Sequence, residues 1–273
     1  MSERSLSHAY ETVNLWRQGG AAIIELNRPE TMNAWNRQFG LDLLAAVEAV
    51  RDDEEVRAVG VTGAGRGFSS GADLKGMGEG HDLTPEGRPD VYSVLTQRYH
   101  PIITGIRTMP KPVVSIVNGP CVGIGLSLAL AGDLVIARES AYFLLAFVNI
   151  GLVPDGGSSL FVPERVGLAR ATEMAMLGER VGAMQAADWG LINRAVPDED
   201  LEAEADALLA RLAAGPTASY AGAKRQFNHW MFTGMDEQLD LEATIQQEMA
   251  GSDDFVEGVT AFVEKRSARF GGR

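Results

Sequence analysis

Residues 112–137, PVVSIVNGPCVGIGLSLALAGDLVIA, run from one apolar stretch to another through a glycine turn and a row of small residues. A strand that is apolar on both faces has to be covered on both faces, which is the condition of a strand inside a parallel sheet. VVSIV therefore reads as a buried strand, GIGLSLALAG as a small-residue helix, and DLVIA as the next strand. RAVGVTG, residues 57–63, is another β-branched run ending at a glycine. Strands joined by helical crossovers imply a largely parallel α/β core. Upstream, TVNLWR and AAIIELN pair as strands around Gly19 and Gly20. Phe39, Leu43, Val47 and Val50 follow one face of a helix. AYFLL reads as a further strand after DLVIA.

From about Asp198 the texture changes to four successive helical patterns, with Pro216 near one start and Ser252 as an N-cap candidate. The expected organisation is a core over residues 1–197 and a helical C-terminal region over 198–273, serving subunit contact and active-site cover. The Gly-, Pro- and charge-rich segment from Met77 to Asp90 is the candidate mobile loop.

The 273 residues carry a formal charge of −13, which argues against nucleic acid as a main partner. Cys121 is the single cysteine, so an intrachain disulfide and a cysteine zinc cluster are both excluded. His8, His81, His100 and His229 have no metal-ligand spacing, and no metal site is expected. Asn118, Pro120, the glycines and Asp133 interrupt the most apolar stretch before it reaches the ~20 residues of a membrane span. The N-terminus lacks a signal-peptide pattern, so the expected location is the cytoplasm, with no membrane partner.

Two glycine loops follow strands: GAGRGFSSGADLK (63–75) and NGPCVGIG (118–125). Neither has P-loop or dinucleotide spacing. Both offer backbone N–H groups, and two such loops face to face could hold a carbonyl oxygen. A third turn, NIGLVPDGGSS, contains one acid, Asp155. It reads either as the N-cap of a helix starting near Ser158 or as a catalytic carboxylate.

Six ordered stretches together carry a resemblance: LNRPETMNAWN, GRGFSSGADLK, KPVVSIVNGPCVGIGLSLALAGD, IGLVPDGGSSLFVPERVG, AADWGLINRAVP and DDFVEGVTAFVEKRSARFGGR. Along essentially its whole length the chain resembles the crotonase, or enoyl-CoA hydratase/isomerase, superfamily. The resemblance implies a spiral of ββα units with a C-terminal helical extension, and a homotrimer or dimer of trimers. It also implies a small-molecule acyl-CoA thioester as substrate, with no permanently bound cofactor. It assigns the oxyanion hole to the backbone N–H groups of Ser70 and Ile124. Arg28, Met32, Ala34, Gly71, Ala72, Asp73, Lys75, Gly123 and Lys265 would contribute to the acyl-CoA site, with Arg28, Lys75 and Lys265 near its phosphates.

The family's hydratases use two glutamates, and at those positions this chain has Ser127 and Phe147. Neither can exchange a proton as a carboxylate does. In the family's single-acid isomerases an Asp or Glu follows the proline of the third turn, as Asp155 does here. The expected activity is therefore a Δ3-to-Δ2 double-bond shift in an enoyl-CoA, with Asp155 as the acid/base. The alternatives are an atypical hydratase, a ring-isomerising acyl-CoA enzyme, and a non-catalytic acyl-CoA binding protein. Asp133 and Asp73 are expected to be structural, Asp73 through its own loop, and Cys121 a buried small residue.

Overall fold

The computed structural model describes residues 4–74, 83–85 and 87–273. Lys75 and residues 77–82 and 86 of the expected loop lie outside the described residues. The strands are β1 (Ser5–Ala9), β2 (Val13–Gln18), β3 (Ala21–Leu26), β4 (Ala58–Gly63) and β5 (Val113–Val117). Then come β6 (Cys121–Val122), β7 (Leu134–Arg138), β8 (Tyr142–Leu144), β9 (Val181–Gly182) and β10 (Arg194–Val196). The main sheet has the order β1-β2-β3-β4-β5-β7-β10, antiparallel across its first three strands and parallel across the rest. A second small sheet joins β6, β8 and β9. The exposed edge strand β1 is additional to the expected pairings.

Before the midpoint of the chain lie α1 (Arg37–Asp52), α2 (Val91–Val94) and α3 (His100–Thr108), and near it α4 (Ile124–Ala131). Next are α5 (Ser158–Leu177) and α6 (Ala183–Asp188). The C-terminal helices are α7 (Leu201–Ala214), α8 (Thr217–Met231), α9 (Met235–Ala250) and α10 (Asp253–Glu264). Alternation along the strands divides the core in two. Ile24, Val59, Val61 and Val113 face α1 and α3, where Phe39, Leu43, Val47 and Val50 are all buried. Ile23, Ala58, Val114 and Ile116 face α7 through Leu201, Ala205 and Leu209. The C-terminal region thus closes one face of the sheet and is part of its core.

Between α2 and α3 the helix widens into a π-turn over Leu95–Tyr99, with the His100 N–H reaching back to Leu95 O. Pro101 supplies the cause: it has no N–H for the carbonyl four residues earlier, and its ring crowds that carbonyl. Ser252 does cap α10, accepting from the Phe255 N–H at 3.0 Å.

Asp133, expected to be structural, joins the sheet to two helices. Its carboxylate accepts from Arg107, from Lys224 Nζ at 2.8 Å and from the Val113 N–H at 2.8 Å. Both cations are buried, and burial holds the Lys224 ammonium down to about 8. Removing the carboxylate leaves two buried cations uncompensated. Asp133→Ala is expected to cost about 3 kcal/mol, read as a lower urea midpoint at unchanged slope.

Candidate active site

The loops that leave β3, β4 and β5 converge at one end of the sheet, and two buried asparagine amides hold them there. Asn33 sits at φ 57° with no exposed surface. Its Nδ2 donates to the carbonyls of Ala64 at 3.1 Å, Gly67 at 2.9 Å and Phe68 at 3.2 Å, and its Oδ1 accepts from the Arg28 N–H at 2.8 Å. Asn118 Nδ2 donates to the carbonyls of Gly63 at 2.8 Å and Gly65 at 3.0 Å. Buried loop carbonyls that would otherwise be orphaned are thereby satisfied.

This bonding corrects one assignment. The Ser70 N–H donates to Met32 O at 2.9 Å, so it is already committed within the loop pair and has no free donor for an oxyanion. The Gly71 N–H points to Ser69 Oγ at 3.3 Å. Trp35 then bridges the loop through Gly71 O and the Asp73 N–H, which passes over the N–H of Ala72. Ala72 and Ile124 line a common cavity, and neither N–H has an acceptor among the described residues. Ile124 opens α4 behind Gly123, whose φ of 56° L side chains rarely adopt. Its N–H belongs to the free first turn of the helix.

The cavity encloses about 570 Å³. Gly71, Ala72, Asp73, Gly123 and Ile124 form one wall, and the π-turn residues Leu95, Arg98 and Tyr99 belong to another. Trp35, Phe147, Asp155 and Gln246 also face it. Arg28, Met32, Ala34 and Lys265 do not line it. Arg28 donates to Ala34 O at 2.5 Å and pairs with Asp73 at 3.1 Å, so the guanidinium is engaged in a loop contact. Asp73 is accordingly held by Arg28, and among the described residues its carboxylate makes no bond to its own loop backbone. Met32 contributes the carbonyl that occupies Ser70. Lys265 is the exposed left-handed C-cap of α10. Cys121 is fully buried with Sγ donating to Gly125 O at 3.5 Å, and burial pushes its thiol well up, as suits an inert core residue.

Asp155 is 6% exposed. Its carbonyl accepts from Ser127 Oγ at 2.7 Å, Ser158 Oγ at 2.8 Å and the Ser158 N–H at 3.1 Å. Ser127 therefore pins the backbone of the turn. The next residue, Gly156, has φ 62°, and a Cβ there would lie 2.3 Å from Ile124 Cδ1. Only glycine lets the turn lie against the start of α4. The Asp155 carboxylate does not cap α5. Glu242 of α9 does so, accepting from the N–H groups of Gly157 at 2.8 Å and Ser159 at 3.1 Å. The side chain of Asp155 instead accepts from Gln246 Nε2 at 2.8 Å through Oδ2, while its buried Oδ1 has no partner among the described residues.

Burial is the main reason the Asp155 carboxyl is pushed from an ordinary 3.8 up to about 8; the Gln246 bond opposes the shift, and the Glu242 charge adds to it. Burial likewise lifts Glu242 to about 7 against its three hydrogen bonds. Neither Glu242 nor Gln246 belongs to any of the motifs that the sequence singles out. Their signal lies in the inward face of α9, where Met235, Leu239, Ala243 and Ala250 are buried at helical spacing and the two polar residues interrupt the stripe.

The family model described as enoyl-CoA hydratase/isomerase matches residues 17–273. The chain belongs to the enoyl-CoA hydratase/isomerase family. A relative from Rhodobacter capsulatus, named a probable enoyl-CoA hydratase, is 44% identical over 97% of this chain and 100% of its own length. One from Escherichia coli, named 1,2-epoxyphenylacetyl-CoA isomerase, is 38% identical over 100% of both chains. The crystal structure of an enoyl-CoA hydratase from Mycobacterium avium subsp. paratuberculosis superimposes with a TM-score of 0.86 at 37% identity, covering 96% of this chain and 99% of that one. The crotonase-like α/β fold expected from the six stretches is the fold observed. Among the described residues no helix is long and apolar enough to cross a membrane.

A raised carboxyl in the folded state makes stability pH-dependent. Between about pH 4 and pH 8 the folded protein keeps a proton on Asp155 that the unfolded chain has released, so this contribution is lost as pH rises through about 8. Asp155→Asn removes that loss. Its melting temperature is expected to exceed that of the unaltered protein by on the order of 3 °C or more at pH 8.5, with a smaller difference at pH 5.

Proposed function

We propose that this family member shifts the double bond of an enoyl-CoA from C3 to C2, with Asp155 as its single acid/base. The observation that carries the reading is a buried carboxylate on the cavity wall, with one oxygen unpaired among the described residues, in a chain whose hydratase-glutamate positions hold Ser127 and Phe147. Ser127 is consumed by Asp155 O, and Phe147 forms apolar wall. In the reaction, ionised Asp155 takes a proton from C2. The electron pair delocalises over the thioester oxygen and C4, leaving a dienolate. The N–H groups of Ala72 and Ile124 stabilise the oxygen, an interaction for which loss of one donor typically costs about 3–4 kcal/mol. Asp155 then returns the proton to C4, and the double bond lies between C2 and C3. A carboxyl near 8 is a stronger base toward carbon than one near 4, and it still ionises at mildly alkaline pH.

The thioester is read as substrate, with no resident cofactor. Arg37, at the exposed start of α1, lies on the cavity wall. A ring-isomerising reaction on an aromatic-derived acyl-CoA is the second reading. The Escherichia coli relative and the aromatic side chains Trp35, Tyr99 and Phe147 around the cavity favour it. A homotrimer or hexamer is the proposed assembly, supported by exposed Phe227 and Trp230 on α8 and Phe262 on α10.

The test is incubation with a 3-enoyl-CoA and separately a 2-enoyl-CoA, followed by absorbance of the conjugated thioester and product mass. Conversion of the 3-enoyl substrate without mass change is expected. Asp155→Asn should lower kcat about 10²–10⁴-fold while retaining acyl-CoA binding. Addition of water to the 2-enoyl substrate would overturn the single-acid reading.

A further inference from the structure

Helix α9 meets the cavity region at two places. Gln246 is 1% exposed and makes two bonds: its Oε1 accepts from the Val153 N–H at 3.0 Å, and its Nε2 donates to Asp155 Oδ2 at 2.8 Å. The amide is thus oriented by the backbone two residues before the acid, and its donor end is fixed on one carboxylate oxygen. One residue along, Gln247 accepts from the Tyr92 N–H at 3.0 Å through Oε1 and donates to Pro89 O at 3.1 Å. Pro89 and Val91 belong to the cavity wall.

We infer that Gln246 is a positioning residue that reserves Asp155 Oδ1 as the one oxygen exchanging protons with substrate. This rests on the reading of Asp155 as the acid/base. A free carboxylate rotates about its terminal torsion and offers either oxygen. Here Oδ2 is anchored, and Oδ1 is the buried, unpartnered oxygen of a residue on the cavity wall. The same atom must then collect the proton at C2 and deliver it at C4. The neutral amide also stabilises the ionised form without adding a charge. Without it, desolvation and the Glu242 charge act on Asp155 unopposed.

The test replaces Gln246 by Met, which keeps length and apolar volume and removes the donor, and by Glu, which adds a competing carboxyl. The readouts are kcat and KM against pH with a 3-enoyl-CoA, and titration of the Asp155 carboxyl by ¹³C NMR in the substrate-free protein. Gln246→Met should lower kcat on the order of 10- to 100-fold with KM changed less, and should move the Asp155 midpoint to higher pH. Gln246→Glu should move it higher still, and serves if the Met variant does not fold. Unchanged midpoints and kcat profiles in the folded variants would overturn the positioning role. Asp155→Asn, assayed alongside, separates the two ideas. Full activity in that variant removes the catalytic reading itself, whereas an inactive Asp155→Asn beside unchanged Gln246 variants removes the Gln246 inference alone.

Discussion

A loop that leaves the end of a buried parallel strand carries carbonyls that water does not reach, and each must find a donor. Asn33 and Asn118 meet that need for the glycine loop after β4. Everything at the candidate site follows from how those bonds are allotted. With the Ser70 N–H given to Met32 and the Asp73 N–H given to Trp35, Ala72 is left with a donor that has no acceptor among the described residues. Its counterpart at Ile124 arises differently, because the first turn of α4 has no preceding carbonyls. The donor pair therefore combines a loop residue passed over by its neighbours with the start of a buried helix.

The acid is made by its surroundings in a comparable way. An aspartate in a glycine turn would ordinarily be solvated or would cap the helix behind it. Glu242 takes the capping role, and the serines at 127 and 158 take the carbonyl. What remains to the Asp155 carboxylate is one amide and a cavity edge. Its affinity for protons reflects the water it has lost, moderated by one hydrogen bond and reinforced by a nearby charge.

Much of this was legible in the sequence. The β-branched runs ending at glycine, and the spacing of Phe39, Leu43, Val47 and Val50, follow from burial and period, which are local properties. Asp155 stood out because an acid between apolar segments is unusual. The sequence points to Ser70 instead of Ala72 because the bonding of a backbone N–H leaves no trace in residue identity. Glu242 and Gln246 are hard to single out in the sequence because their partners lie 83 to 93 residues away and the helix is rich in surface-like polar side chains. Arg28 resembled a phosphate ligand in composition, yet Asp73, distant in sequence, takes its charge.

The dependence of Asp155 on α9 also orders events during synthesis. The turn is translated well before the helix that supplies Gln246 and Glu242. Until that helix has left the ribosome and docked, the aspartate lacks its amide anchor. A nascent chain with sheet and glycine loops already in place thus lacks the Gln246 amide on Asp155 and the Glu242 cap on α5, and both arrive together with α9.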